Sequence, residues 1–278
     1  MSRVLTVTLN PAIDVRYNVE NFRLGNVNRT QGIEKNAGGK GINVSKIINL
    51  LGGDILATGI VGGFTGKLFL KKLNENSIKN NFLESEYETR TCIAIIDEKI
   101  DGITEILESG KGDMEVCNLF IKKYLEILED KEIKVICGSG SLLKGIEAKP
   151  FLIKPNQEEL EDILGRKLNS IEEIADAARE LMKKGAENVM VTLGGAGALL
   201  ITPERVYRGT FPKVEIKNTV GSGDSTVGGF AYALSQGKDL AECFRLGIAC
   251  GTTNAMLDST GTIDMDILNN ILPKIEIK

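Results

Sequence analysis

Short apolar runs alternate along the chain with segments whose apolar residues recur every three to four positions. That arrangement predicts an α/β fold with a largely parallel sheet. Val4 to Thr8 reads as a buried strand ending at Asn10-Pro11. Val44, Ile47, Ile48 and Leu51 share one face of a helix that stops at Gly52-Gly53. Ile133 to Cys137, Phe151 to Lys154 and Asn188 to Leu193 read as further strands. Ser170 caps a helix running through Met182, and Asp224 to Ser235 is helical, with Val227, Phe230, Ala231 and Leu234 on one face.

Two regions break this rhythm. Residues 14–36 and 87–106 alternate apolar with polar positions and predict antiparallel strands, together a small sheet projecting from the main body. The chain as a whole, 1–278, reads as one large domain with this appendage. One stretch conflicts with a parallel sheet. A crossover between parallel strands takes at least about 10–12 residues and usually a helix. Gly138 to Pro150, between two predicted strands, holds Gly138, Gly140, Gly145 and Pro150 and offers no helix of useful length. Either these strands are not neighbours or a crossover is missing.

Composition narrows the chemistry. The chain of 278 residues has no histidine. Ser-His-Asp and Cys-His nucleophilic sites and His-ligated metals are therefore excluded, and any metal must accept oxygen ligands, as Mg²⁺ does. A net charge of −4 gives no sign of a nucleic-acid or membrane partner. The five cysteines include no C-x-x-C pair and are expected as reduced thiols in or near the core. The N-terminus lacks the apolar run of a signal peptide, and the longest apolar stretch, Val189 to Ile201, is shorter than the ~20 residues of a spanning helix and contains Gly194, Gly195 and Gly197. It reads as strand, turn, strand. The expected location is cytoplasmic.

Gly221-Ser222-Gly223-Asp224 opens a helix. Free amides at a helix N-terminus attract anions, and glycines let a phosphate approach the backbone. Asp224 could take a proton from a hydroxyl beside that phosphate, or it could merely cap the helix. Gly62-Gly-Phe-Thr-Gly-Lys67 fails the P-loop spacing, and neither Gly194-Gly-Ala-Gly197 nor Gly221-Ser-Gly223 completes a dinucleotide fingerprint. Gly38-Gly39-Lys40-Gly41-Ile42-Asn43 enters a helix, where Lys40 can meet an anion and Asn43 a polyol; the alternative is a loop that serves packing alone. Asp14, beyond the first strand, suits sugar hydroxyls. Asn156 and Glu159 could organise a hydrated Mg²⁺, or Glu159 could simply complement the helix dipole. Arg29, Lys40 and Arg90 are candidate partners for a substrate phosphate, though each alone could be a surface charge.

In order, Thr8-Leu-Asn-Pro-Ala-Ile-Asp14, Gly38-Gly-Lys-Gly-Ile-Asn43, Thr89-Arg90, Lys154-Pro-Asn-Gln-Glu-Glu159, Leu193-Gly-Gly-Ala-Gly197 and Val220-Gly-Ser-Gly-Asp-Ser225 resemble the ribokinase-like, PfkB-type carbohydrate kinases over essentially the whole chain. The resemblance implies a three-layer α/β/α fold with a mainly parallel central sheet and a small β-sheet lid, and ATP-dependent phosphorylation of a sugar with Mg²⁺. It implies Asp224 as base beside the Gly221, Ser222 and Gly223 turn. Asp14, Gly38, Gly39, Lys40, Asn43, Arg90, Arg29 and Ser139 would hold the sugar phosphate. Lys154, Asn156, Thr192, Gly194, Gly197, Lys213, Gly223 and Asn254 would hold ATP, with Glu159 on the metal through water. A homodimer through the lid follows by the same resemblance.

Thr8-Leu-Asn-Pro11 and the Gly-Gly-Lys-Gly loop point to the phosphosugar branch. Ser222, where kinases of fructose 1-phosphate usually carry alanine, leans toward tagatose 6-phosphate and tagatose metabolism, with fructose 1-phosphate the alternative. A non-catalytic sugar-phosphate-binding regulator is the alternative of another class, which ATP-dependent turnover would exclude. Members of this family carry a helix and a strand between their Gly-Ser-Leu-Pro loop and Lys-Pro-Asn. This chain runs almost directly from Gly138-Ser-Gly-Ser-Leu142 to Lys154-Pro-Asn156. The expectation is a break near Leu142–Gly145, where residues are missing. A true deletion would instead put Ser139 in doubt.

Overall fold

A computed structural model of the chain describes residues 2–97, 99, 103–138 and 142–278. The described strands form three sheets. In the first, β1 (Arg3–Thr8) lies between β4 (Ile55–Gly62) and β8 (Ile133–Gly138), with β5 (Leu83–Ser85) outside β4, all parallel. In the second, β9 (Leu152–Ile153) runs parallel to β10 (Asn188–Thr192). The chain then turns through Gly194–Ala196 into antiparallel β11 (Ala198–Ile201), β12 (Val206–Thr210) and β13 (Glu276–Ile277). The third sheet, in the order β3-β2-β6-β7, is built from β2 (Ala12–Val19), β3 (Thr30–Gly38), β6 (Arg90–Ile96) and β7 (Ile103–Leu107).

Helices α1 (Lys40–Leu50), α2 (Gly63–Glu75), α3 (Met114–Ile127), α4 (Leu142–Ile146), α5 (Gln157–Leu164), α6 (Ile171–Lys184), α7 (Ser222–Ser235), α8 (Leu240–Ala255) and α9 (Met265–Ile271) complete the described elements. The layering follows from strand alternation. On β10, Val189 and Val191 point toward Ala177, Ala178 and Leu181 of α6, whereas Met190 points toward Phe230 of α7 and Phe244 and Ile248 of α8. One residue of register would reverse both faces. The Ser170 hydroxyl accepts from the Glu173 amide and starts α6 as expected. No helix among the described residues is long and apolar enough to cross a membrane.

Several expectations need correction. The predicted lid strands are present, but β2 and β6 pair in parallel; only β2–β3 and β6–β7 are antiparallel. The predicted strand Phe151 to Lys154 is reduced to Leu152–Ile153. The central sheet is divided, because β8 and β9 end up on the edges of separate sheets. Leu142–Ile146 form the single turn of α4, and the chain closes through the Ala148 and Lys149 amides onto the Gly145 and Ile146 carbonyls. So short a link cannot supply a crossover. Ser139 lies outside the described residues. Of the cysteines, Cys92, Cys243 and Cys250 are buried, Cys137 is half-buried and Cys117 is exposed, and none is paired.

The divided sheet leaves a second apolar stripe on α3. Phe120 and Ile127 are buried, while Met114, Ile121 and Leu125 are 73%, 52% and 59% exposed, with Ile136 of β8 also open to solvent.

Candidate active site

The N-terminus of α7 is placed by its packing between α1 and α8. A Cβ on Gly229 would fall 2.7 Å from the Cys250 sulfur of α8, so these helices meet at backbone distance. Gly221 precedes α7 with φ 79°, a left-handed turn that an L side chain resists. Beyond it, Ser222 donates its amide to the Thr219 carbonyl and Ser225 to that of Gly221. The amides of Gly223 and Asp224 have no partner among the described residues. Two free amides at a helix start form an anion cradle. The Lys154 ammonium faces it: a Cβ on Gly223 would lie 2.9 Å from Nζ.

Asp224 stands beside this cradle. Asn43 Nδ2 donates to its Oδ2 at 2.9 Å, fixing the carboxylate from α1. Burial pushes the Asp224 pKa above the usual carboxylate value, while the Asn43 hydrogen bond, Lys40 and Lys154 pull the other way. Burial likewise lowers the pKa of Lys154, opposed by Glu159 and Asp224. Asn43 Oδ1 is buried without a partner among the described residues.

From this point a cleft of about 1020 Å³ opens under the lid, lined by Asp14, Asn43, Lys46, Arg90, Val220 and Gly261 among others. The Asp14 carboxylate lies directly over Gly38, where any Cβ would collide with it. Burial raises the Asp14 pKa against the pull of Lys46 and Arg90. The Arg90 guanidinium donates to the Glu108 and Asn10 carbonyls, at 3.2 and 3.4 Å, and is held at the cleft wall.

The predicted residues separate into four groups. Asp14, Gly38, Asn43, Arg90, Lys154, Gly221, Gly223 and Asp224 converge on the cleft and cradle. Gly39 starts α1, and Lys40, at the first position of that helix, acts on Asp224 and Lys154 rather than on the far end of the cleft. Asn156 and Thr192 form a bridge that joins the ends of β9 and β10, with Gly194 and Gly197 in the turn beyond. Lys213 and Arg29 are exposed, Arg29 between β2 and β3, and neither lines the cleft.

Glu159 and Asn156 make a full capping box at the start of α5, with Asn156 Oδ1 accepting from the Glu159 amide at 2.7 Å and Glu159 Oε2 from the Asn156 amide at 2.9 Å. Only Glu159 Oε1 is left for a metal. Mg²⁺ takes one or two carboxylates plus phosphate oxygens and water, so one free oxygen beside the cradle fits it.

Ser222 does not line the cleft; its Oγ accepts from Asn254 Nδ2 at 3.1 Å. Lys46 was not among the predicted residues. It follows Asn43 by one helical turn, and that spacing was the available signal. Burial lowers its pKa, opposed by Asp14.

The family described as pfkB family carbohydrate kinase matches residues 3–147 and 138–266. The two matches meet at the short link between β8 and β9. The chain is 35% identical over 301 residues to 1-phosphofructokinase of Bacillus subtilis, covering 99% of each. It is 33% identical over 310 residues to tagatose-6-phosphate kinase of Staphylococcus epidermidis, again covering 99% of each. Phosphofructokinase-2 of Escherichia coli superposes with a TM-score of 0.90 at 26% identity, over 98% of this chain and 99% of that one.

Proposed function

Because the chain belongs to the pfkB family of carbohydrate kinases and is a sugar-phosphate kinase with a ribokinase-like fold, we propose that it transfers the γ-phosphoryl group of ATP to the C1 hydroxyl of tagatose 6-phosphate. The observation that carries this reading is the pair of free amides on Gly223 and Asp224, faced by Lys154, with the Asp224 carboxylate fixed by Asn43.

In this reading Asp224 accepts the proton of the C1 hydroxyl as that oxygen bonds to the γ-phosphorus and the bond to the β,γ-bridging oxygen breaks. The two amides and Lys154 hold the phosphoryl oxygens in flight, and Lys40 adds positive charge beside them. Such positioning and charge stabilisation supply most of the catalysis of phosphoryl transfer. Asp14 meets the sugar hydroxyls. Arg90, with Lys46 in the same cleft, meets the sugar's own phosphate. Mg²⁺ would be held through water by Glu159 Oε1, and when bound it neutralises phosphate charge.

ATP and sugar phosphates are cytoplasmic metabolites, which supports a cytoplasmic location. A homodimer through the lid is supported by Ile33, Ile106 and Leu107, which are 55%, 54% and 61% exposed on that sheet.

The sugar has a second reading. The B. subtilis relative is named for fructose 1-phosphate, and Ser222, which favours tagatose 6-phosphate, can act on the sugar only through the loop it belongs to. Values of kcat/KM with tagatose 6-phosphate, fructose 6-phosphate and fructose 1-phosphate separate the two. We expect tagatose 6-phosphate to lead by at least about tenfold, since one or two pocket contacts discriminate by that order. A lead for fructose 1-phosphate would reverse the assignment.

A further inference from the structure

Asn254 is 0% exposed near the C-terminal end of α8, and its whole hydrogen-bonding capacity is spent within the protein. Its two amide hydrogens go to the Val220 carbonyl at 3.0 Å and to Ser222 Oγ at 3.1 Å. Its Oδ1 accepts from the Gly261 amide at 2.8 Å, the Thr262 amide at 3.2 Å and Ser225 Oγ at 3.2 Å. A primary amide has two donors and about two acceptor lone pairs, so nothing remains for a nucleotide.

The groups it holds lie on both sides of the reacting centre. Val220 and Ser222 flank Gly221, the left-handed turn that aims the Gly223 and Asp224 amides. Gly261 packs against Asn43, where a Cβ would lie 2.7 Å from Oδ1, and Asn43 in turn fixes Asp224. The two loops also touch each other, because a Cβ on Gly221 would meet Thr260 Cγ2 at 2.6 Å. One buried side chain thus sets the loop that carries the anion cradle and the turn that backs the residue orienting the base.

We infer that Asn254 is a positioning residue for phosphoryl transfer, locking the 219–223 loop onto the 260–262 turn, and is not a ligand of ATP. The inference rests on the proposed role of the cradle and Asp224. It predicts a split that a nucleotide ligand would not give. Losing the lock disorders donors that matter only for the phosphoryl group in flight, and such donors affect turnover more than ground-state binding.

The test measures three quantities in the parent, Asn254→Ala, Asn254→Asp and Ser225→Ala. These are kcat with the preferred sugar phosphate, the dissociation constant of Mg·ATP without sugar, and the affinity for Mg·ADP with aluminium fluoride and sugar phosphate, a mimic of the transferring group. For Asn254→Ala we expect kcat and mimic affinity to fall together by about 30- to 300-fold, with Mg·ATP binding within about threefold of the parent. Asn254→Asp restores a donor only when protonated, so it should regain activity toward low pH relative to Asn254→Ala. Ser225→Ala, which removes a single bond to Oδ1, should show the same split on a scale of about 3- to 10-fold and serves if the Asn254 variants do not fold.

A loss of Mg·ATP affinity equal to or greater than the loss of kcat would overturn the inference, as would unchanged kcat. If the parent itself shows no sugar-dependent affinity for the aluminium fluoride complex, the proposed cradle fails first and this inference falls with it.

Discussion

Replacing Gly223 by alanine separates the phosphate cradle from the stability of the helix that builds it. Gly223 is the second residue of α7 and its φ is not among the positive values in the chain, so an alanine needs no backbone change. Alanine is favoured over glycine in helices by roughly 0.8–1 kcal/mol, less in a first turn. The variant should therefore melt at or above the parent temperature. The added methyl carbon would lie 2.9 Å from Lys154 Nζ and 3.4 Å from its Cε. The lysine end is flexible and can withdraw by a few tenths of an ångström. The space it leaves is the space a phosphoryl oxygen needs to reach the Gly223 and Asp224 amides. Deleting one preorganised donor costs about 10²–10³ in turnover, or roughly 2.7–4 kcal/mol. A methyl that crowds the donors without removing any belongs at the lower end, about 100-fold in kcat. The assay is ADP release at saturating ATP and sugar phosphate, paired with thermal melting by circular dichroism because the chain has no tryptophan. An unchanged melt with kcat within about threefold of the parent would show that the phosphoryl group does not pass over Gly223.

Further outcomes follow from the charges and from the exposed face of α3. Burial raises the Asp224 pKa, and a base must be deprotonated, so kcat/KM should fall with acidification at a pH above the ordinary carboxylate range. Asn43→Ala removes a hydrogen bond to the charged form and should move that limb higher still; a shift downward in the pH–rate profile would contradict the arrangement. By linkage the folded state holds this proton more tightly than the unfolded chain, so the stability cost of the charged carboxylate disappears as pH falls through its raised value. On α3, Ile121→Lys with Leu125→Gln should change unfolding free energy by less than about 0.5 kcal/mol in urea titrations, since both side chains are more than half exposed. A loss above about 2 kcal/mol would mean the stripe is covered.

The sequence made the strands, the capped helices and the lid legible because each carries a local signature: period-two alternation, Ser170 before a helical pattern, glycine stops. What it did not expose depends on long-range placement. Glu159 reads equally well as a metal ligand or as a first-turn acid, and the structure spends one of its oxygens in the capping box and leaves the other free. Lys46 looks like an ordinary helical lysine until the lid closes a cleft over it. Asn254 sits in a segment whose resemblance suggests a nucleotide contact, yet its five partners come from residues 220–225 and 261–262, brought together only by packing. The short link after β8 was legible as a conflict. The placement of β8 and β9 on the edges of separate sheets has no local signature and depends on the tertiary structure.

In the proposed reaction Asp224 takes the proton of the accepting hydroxyl. Asp224→Asn tests it most directly, because the amide can still accept from Asn43 while losing its basicity. Measured with the preferred sugar phosphate, its kcat should fall by about 10²–10⁴ while the dissociation constant of Mg·ATP stays within about threefold of the parent. Turnover within about tenfold of the parent would contradict the assignment.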